Sequence, residues 1–347
     1  NMKVLIDIGH PGHVHLFRNF ARIFLENGHS VLFTIREKEY EAELLRHAGL
    51  QFTVLGKHYS SSLGKIFGLF RYNLQILYIS LRFKPDVFFS HGSIYTLISA
   101  FLLRRPNISM EDTGNPEQVK LYLPFTSAVL TSTSFPVRYA SKQIYYNGYH
   151  ELAYLHPAYF LPDPAVLAEL DLREGEKYSI VRFVAWKASH DKKHHGLNYD
   201  QKIEIIRQLS RFGKVFISSE AQLPPDLEAF SFPLGPERLH HAMAFADLYV
   251  GEGATMASEC AVLGTHAVYI NTIRRGYLEE QEKDFNLVTC FDSYEGVNEI
   301  IEELLTNPGL KTEAKNCRDR LINSKCDVTA FLVNFIEEWP DSFLKNK

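Results

Sequence analysis

Short apolar runs with strand character alternate with amphipathic runs of helical character from the first residues: KVLIDI, VHLFRNFARIFLENG, SVLFTI, EYEAELLRHAG and QFTVL follow one another. This βαβαβ opening restricts the chain to a parallel sheet covered by helices on both faces, because parallel neighbours need a crossover and the crossover here is a helix. DVFFSHG, PNISME and SAVLTST continue the strand series. After YNGYHELAYLHPAYFLPDPAVLAELDL the alternation restarts with YSIVRFV, YDQKIEIIRQLSRFG, KVFISSE, RLHHAMAFA, DLYVG and HAVYIN. Pro157, Pro162 and Pro164 lie between the two series, where proline can continue neither a helix nor a central strand. The 347 residues are therefore read as two α/β domains, over 1–155 and 177–325, joined by a linker at 156–176 and followed by a terminal segment at 326–347.

A hydrophobic fraction of 46% with 22% charged residues supplies two cores and excludes disorder. The formal charge of −4 provides no global field for nucleic acid, so any anion site must be local. Cys260, Cys290, Cys317 and Cys326 form no C-x-x-C pair, and Met2-Lys3 opens directly into a strand rather than a signal peptide. No apolar stretch approaches the roughly 18–20 residues that span a bilayer. A reduced, cytoplasmic protein with no nucleic-acid partner is the expectation.

Residues 246–271, ADLYVGEGATMASECAVLGTHAVYIN, read as strand, glycine-rich turn, helix and second strand. Gly251 and Gly253 permit a tight turn and the close approach of a ligand to the backbone. Thr255 is expected as the helix N-cap, which places the capping-box position on Ser258 and leaves Glu259 uncommitted. Unpaired N–H groups at such a helix start favour a diphosphate, and the Thr255 and Ser258 hydroxyls add donors. Glu259, one turn further, suits the vicinal hydroxyls of a ribose. The competing reading is a surface glutamate on an ordinary βαβ helix.

Loops after other strands carry further candidates. DIGHPGHVH follows the first strand, with Gly9 and Gly12 shaping the turn and His10, His13 and His15 around the helix start. His13 is the candidate general base or substrate contact, while capping and packing compete for these histidines. Their spacing matches no metal-binding pattern, so no metal is expected there. The turn is not G-x-G-x-x-G and strand two ends in Arg36-Glu37, which argues against a nicotinamide site. In the second half, RFVAWKASHDKKHHG gathers Arg182, Lys187 and His190 with Lys192 to His195. Facing a ligand, Arg182 and Lys187 would supply charge and His190 a donor to a diphosphate; otherwise the loop is merely solvated. Ser219 and Glu220 end the following strand and either line the same site or form a turn.

GHPGHVHLFRNFARIFLENGHSV, FKPDVFFSHGS and ADLYVGEGATMASECAVLGTHAVYIN resemble, in order, segments of GT-B glycosyltransferases and UDP-N-acetylglucosamine 2-epimerases. The bacterial transferase that adds N-acetylglucosamine to a lipid-linked muropeptide is a similar case. GYHELAYLHPAYFLPD, RFVAWKASHD and GATMASECAVLGT resemble the signatures of a bacterial and archaeal family of uncharacterised glycosyltransferase-like proteins, over nearly the whole chain. The resemblance implies a GT-B fold: two Rossmann-like domains with parallel sheets facing a central cleft, the second holding the nucleotide and the 326–347 helix crossing back to the first. It assigns ribose binding to Glu259, phosphate contact to Gly253, Ala254 and Thr255 with Met256 alongside, the donor sugar to Glu279 and Glu280, and the acceptor side to Gly9, His10, Gly12 and His13.

The epimerases carry an acid in an HGD-type segment where this chain has Ser93, although Glu111 stands at their next acidic position and His190 lies near their C-terminal-half histidine. The missing carboxylate weakens epimerisation, which needs several proton-transfer groups. His13, Glu111 and His190 are the catalytic candidates. Transfer from a nucleotide-diphosphate sugar, with UDP the favoured nucleotide and no obligatory metal or other cofactor, is the leading reading; an epimerase and a non-catalytic nucleotide-sugar binder are the alternatives. Over 63–85, Leu63, Ile66, Phe67, Phe70, Leu74, Leu77, Tyr78 and Leu81 fall at helical spacing beside Lys65, Arg71, Arg82 and Lys84. That stripe is either the buried face of a domain helix or a peripheral membrane contact leading to a lipid-linked glycan acceptor.

Overall fold

The computed structural model describes residues 1–37, 40–57, 59, 61–173, 175–184, 196–219 and 221–347. The chain divides into two compact units, one comprising Asn1–Tyr154 with Cys326–Lys347 and the other Leu155–Lys325.

Unit 1 is built on seven strands: β1 (Lys3–Ile8), β2 (Ser30–Glu37), β3 (Phe52–Lys57), β4 (Val87–His91), β5 (Asn107–Glu111), β6 (Ala128–Ser132) and β7 (Gln143–Tyr146). All pair in parallel, in the order β3-β2-β1-β4-β5-β6-β7. Val4, Leu5, Ile6 and Ile8 are completely buried, as expected for a central strand covered on both faces. The polar exception on β1 is Asp7. Its carboxylate accepts from Arg36 at 2.8 and 3.0 Å, Thr34 at 2.8 Å and Ser93 at 2.5 Å, so a buried charge is paired and hydrogen-bonded. This explains Ser93: a carboxylate in its place would meet that of Asp7.

The helix Pro11–Glu26 follows β1 and packs Phe17 and Phe20 edge-on against Phe89 of β4, at ring separations of 4.8 and 5.3 Å. The C-terminal helix Val328–Glu337 is tied into this unit by Thr329 donating to the Ala153 carbonyl and by Glu337 accepting from Asn27, both at 2.8 Å.

Unit 2 contains β8 (Tyr178–Arg182), β9 (Lys214–Ile217), β10 (Leu248–Gly251), β11 (Ala267–Ile270) and β12 (Val288–Phe291), all parallel in the order β12-β11-β10-β8-β9. Val181, Leu248, Val250 and Val268 form its core with Ile205 and Ile301 from flanking helices. Residues 156–176 belong to this unit. Arg238 holds them through Asp163 at 2.9 Å and Glu169 at 2.6 Å.

Candidate functional site

In open parallel sheets ligands bind beyond the strand C-termini where the strand order reverses. In unit 1 that point lies between β1 and β4. His13, in the first turn of the helix after β1, stacks on His91 at the end of β4 with ring centroids 4.7 Å apart. His91 Nε2 lies 3.0 Å from Asp112 Oδ1, and His150 Nδ1 lies 3.2 Å from Asp112 Oδ2. Burial alone would lower the pKa of His91, but the charge and hydrogen bond of Asp112, with Glu111 behind, raise it to about 9. Burial drives His13 the other way, well below the ordinary histidine range, and the His91 and His10 charges add to that shift. Burial disfavours the Asp112 carboxylate, yet His150 and His91 hold its pKa well below the usual value.

The predicted residues of this region have different occupations. His10 is the N-cap, its ring accepting the Gly12 N–H at 3.0 Å, while the exposed Gly9 N–H points to His13 Nδ1 at 3.4 Å. Glu111, the expected proton carrier, has both of its oxygens hydrogen-bonded within the fold. Oε1 accepts from the backbone of Asp112, Thr113 and Gly114 and from the Thr113 hydroxyl at 2.9–3.1 Å, and Oε2 accepts from Tyr122 at 2.5 Å. Burial opposes its ionisation, but His91 and these donors lower its pKa. Sequence reasoning passed over His91, Asp112 and His150. Each stands alone in sequence, and their shared signal is position at or just beyond the C-terminus of a parallel strand.

In unit 2 the reversal lies between β8 and β10, whose ends pair Arg182 with Gly251. A Cβ on Gly251 would sit 2.4 Å from both the Arg182 carbonyl oxygen and the Tyr249 hydroxyl, so only glycine fits. The Arg182 guanidinium donates to Ser218 Oγ at 3.3 Å. Ser219, the predicted partner, instead donates to the Ala221 carbonyl at 2.8 Å, as a turn residue. Glu252 is a further residue that the sequence did not flag. Buried beside the turn, it accepts from the Val184 N–H at 3.0 Å and the Leu197 N–H at 2.9 Å, with Lys202 at 3.8 Å. It therefore grips both flanks of the basic stretch predicted to contact phosphate. Lys187 and His190 of that stretch, and Glu220, lie outside the described residues.

The helix after β10 begins two residues earlier than expected. Gly253 is the extended cap residue of Ala254–Leu263, with no side-chain cap, and its carbonyl accepts from the Ala257 N–H at 3.2 Å. Thr255 is thus inside the first turn and exposed, not the N-cap. The Asn271 amide fixes the turn by donating to the Glu252 carbonyl at 3.1 Å, and Gly264 ends the helix at φ 85°. Thr255 and Glu259 share one face at i, i+4 spacing, and Glu259 bonds His240 Nε2 at 3.0 Å. Met256 and Ser258 face the core. Ser258 accepts from the buried Gln281 amide at 2.8 Å, so the phosphate role expected for it is corrected to helix packing. Glu280 pairs with Lys325 at 2.5 Å, whereas Glu279 stays partly exposed on the helix Gly276–Lys283.

The stripe over 63–85 lies on the helix Ser62–Phe83. Tyr72 and Ile76 are buried, but Ile66, Phe67, Phe70, Leu74, Tyr78 and Leu81 are each 55–61% exposed. Phe101 and Phe125, also exposed, extend the apolar surface with rings 6.0 Å apart. No helix of the described residues is long and apolar enough to cross a membrane.

A family profile described as "Protein of unknown function (DUF354)" matches residues 2–281. The chain belongs to this family. No curated protein is significantly similar to this DUF354 member in sequence. Among solved structures, the UDP co-structure of MnaA from S. aureus superposes with a TM-score of 0.71 at 10% identity, covering 99% of this chain and 98% of that one. A putative UDP-N-acetylglucosamine 2-epimerase from Listeria monocytogenes gives 0.68 at 14% identity, with 100% and 97% covered. MurG from Acinetobacter baumannii gives 0.62 at 15% identity, with 97% and 100% covered. The DUF354 chain thus has the GT-B fold, two parallel-sheet α/β units.

Proposed function

We propose that this protein is a GT-B glycosyltransferase that uses a nucleotide-diphosphate sugar. The observation that carries the reading is the end of β10: an obligatory glycine beside Arg182, a helix start without a side-chain cap, and a buried glutamate one turn later. The backbone N–H groups of Ala254, Thr255 and Met256, with Arg182, take the diphosphate and stabilise it as it departs. Glu259, oriented by His240, accepts from the ribose hydroxyls. UDP is the favoured nucleotide, since one neighbour is described as a UDP co-structure and another as a putative UDP-N-acetylglucosamine 2-epimerase. Lys187 and His190 remain assigned to the donor phosphates and catalysis, Glu279 to the donor sugar, and the His13 loop to the acceptor. The exposed apolar helix, basic at Lys65, Arg71 and Arg82 with Lys84 at its C-cap and without an acidic residue, supports peripheral contact with a membrane carrying a lipid-linked acceptor.

The test is calorimetric titration of UDP, GDP, CDP and dTDP into wild type and Glu259→Gln. One nucleotide class should bind, and the variant should weaken it about 10- to 100-fold, the worth of a charge-assisted hydrogen bond at roughly 1.5–3 kcal/mol. Absence of binding by every nucleotide at millimolar concentration would refute the donor site. Solvent deuterium entering sugar C2 without an acceptor would assign the chain to epimerisation instead.

A further inference from the structure

Three strands of unit 1 deliver one carboxylate and two imidazoles to a common point. His91 ends β4, Asp112 immediately follows β5, and His150 lies four residues beyond the end of β7. Their ligand atoms all lie within 4.8 Å of one another, with Asp112 oxygens 3.0 and 3.2 Å from the two ring nitrogens. Metal–ligand bonds of about 2.0–2.2 Å place neighbouring ligand atoms about 3–3.5 Å apart, so the cluster is near that geometry. The site is sheltered, with the three side chains 13, 26 and 10% exposed.

His150 Nε2 and the Tyr146 hydroxyl are buried with no hydrogen-bond partner among the described residues, and the two rings lie nearly parallel with centroids 6.3 Å apart. Coordination through His150 Nδ1, the nitrogen that faces Asp112, leaves Nε2 for an outer partner, of which an ordered water is the standard kind. The His91 ring is also supported from outside, where His13 stacks on it. Such outer contacts fix imidazole orientation at metal centres.

We infer that His91, Asp112 and His150 bind a divalent transition-metal ion. Two imidazoles and one carboxylate suit zinc or ferrous iron, whereas magnesium and calcium prefer oxygen-rich sites. Three protein ligands leave positions open for water or a substrate oxygen. The local sequence hides the arrangement, because the adjacent histidines His10, His13 and His15 are not the ligands; the set comes from three separate strand ends.

Untagged protein, stripped with chelator, is titrated calorimetrically with Zn²⁺ and with Mg²⁺. One Zn²⁺ per chain is expected, with Mg²⁺ much weaker. Asp112→Asn and His150→Gln should weaken Zn²⁺ by at least about tenfold, and His47→Gln, an exposed histidine elsewhere, should not. No stoichiometric binding by wild type, or equal binding by the Asp112 and His150 variants, overturns the site. Should those variants fail to fold, X-ray absorption on Co²⁺-loaded wild type decides: a nitrogen and oxygen shell containing two imidazoles supports the assignment, and sulfur ligation refutes it. Neither measurement uses a nucleotide sugar, so its failure is distinct from failure of the proposed transferase.

Discussion

Gly251 and Gly253 flank Glu252, yet the structure assigns them opposite tolerances to a methyl group. An alanine Cβ at Gly251 would lie 2.4 Å from the Arg182 carbonyl oxygen and 2.4 Å from the Tyr249 hydroxyl. Contacts under 3.0 Å are essentially never seen for real Cβ atoms, so the backbone of β8 or β10 must retreat by about 0.6 Å. Overpacking of this kind costs about 1–3 kcal/mol, and the carbonyl is a partner that cannot rotate away. At Gly253 the nearest atoms would be 3.6 and 3.9 Å away, and the residue is at φ −91°, which alanine adopts freely. Gly251→Ala should therefore lower the unfolding free energy measured in urea by about 1–3 kcal/mol, while Gly253→Ala changes it by under about 0.5 kcal/mol. If the helix start takes the diphosphate, Gly253→Ala should still weaken nucleotide binding, because its methyl intrudes where the ligand approaches the backbone. Equal stability of the two variants would refute the steric reasoning, and unaltered nucleotide affinity in Gly253→Ala would refute close approach at that residue.

Two other predictions concern acid stability and membrane contact. His266 is 4% exposed, bonds Thr289 at 2.8 Å, and burial lowers its pKa from 6.5 to about 4. Its neutral form stabilises the fold fully above pH 6.5, and that contribution is lost as the pH falls through about 4, because the unfolded chain takes up the proton first. Urea unfolding at pH 7.0 and 4.5 should show wild type losing about 2–3 kcal/mol more than His266→Gln, and equal losses would remove His266 as the cause. Phe70 and Leu74 are 61% and 59% exposed, so Phe70→Glu with Leu74→Glu should leave the melting temperature nearly unchanged. The pair should reduce co-sedimentation with anionic vesicles by at least about fivefold, and undiminished sedimentation would show that this face does not touch lipid.

Much of the fold was legible because its signals are local. Alternating apolar runs define β1 to β6 and β8 to β11, and the glycine turn at 251–253 marks the start of the helix that follows β10. The short QIYY strand, β7, was not foreseen, since four residues running into an aromatic-rich stretch carry no usable period. The Thr255 cap failed for a related reason. Threonine favours an N-cap, but the Asn271 contact to the Glu252 carbonyl helps to set the turn, and the helix begins at Ala254. The helix Ser62–Phe83 has an unambiguous period, but its spacing alone does not distinguish a stripe facing a core from one facing outward.

Sequence alone determined that this chain builds two parallel α/β sheets, because strand and helix periodicities belong to consecutive residues. It also determined where a tight turn of close backbone approach stands, since Gly251 and Gly253 announce the backbone geometry they permit. Tertiary structure decided which side chains meet. Glu111 and Ser258 are occupied by partners 11 and 23 residues away, whereas His91, Asp112 and His150 converge across 59 residues. The physical reason is the parallel sheet: its register aligns the ends of strands remote in sequence, and no local pattern records which ends become neighbours.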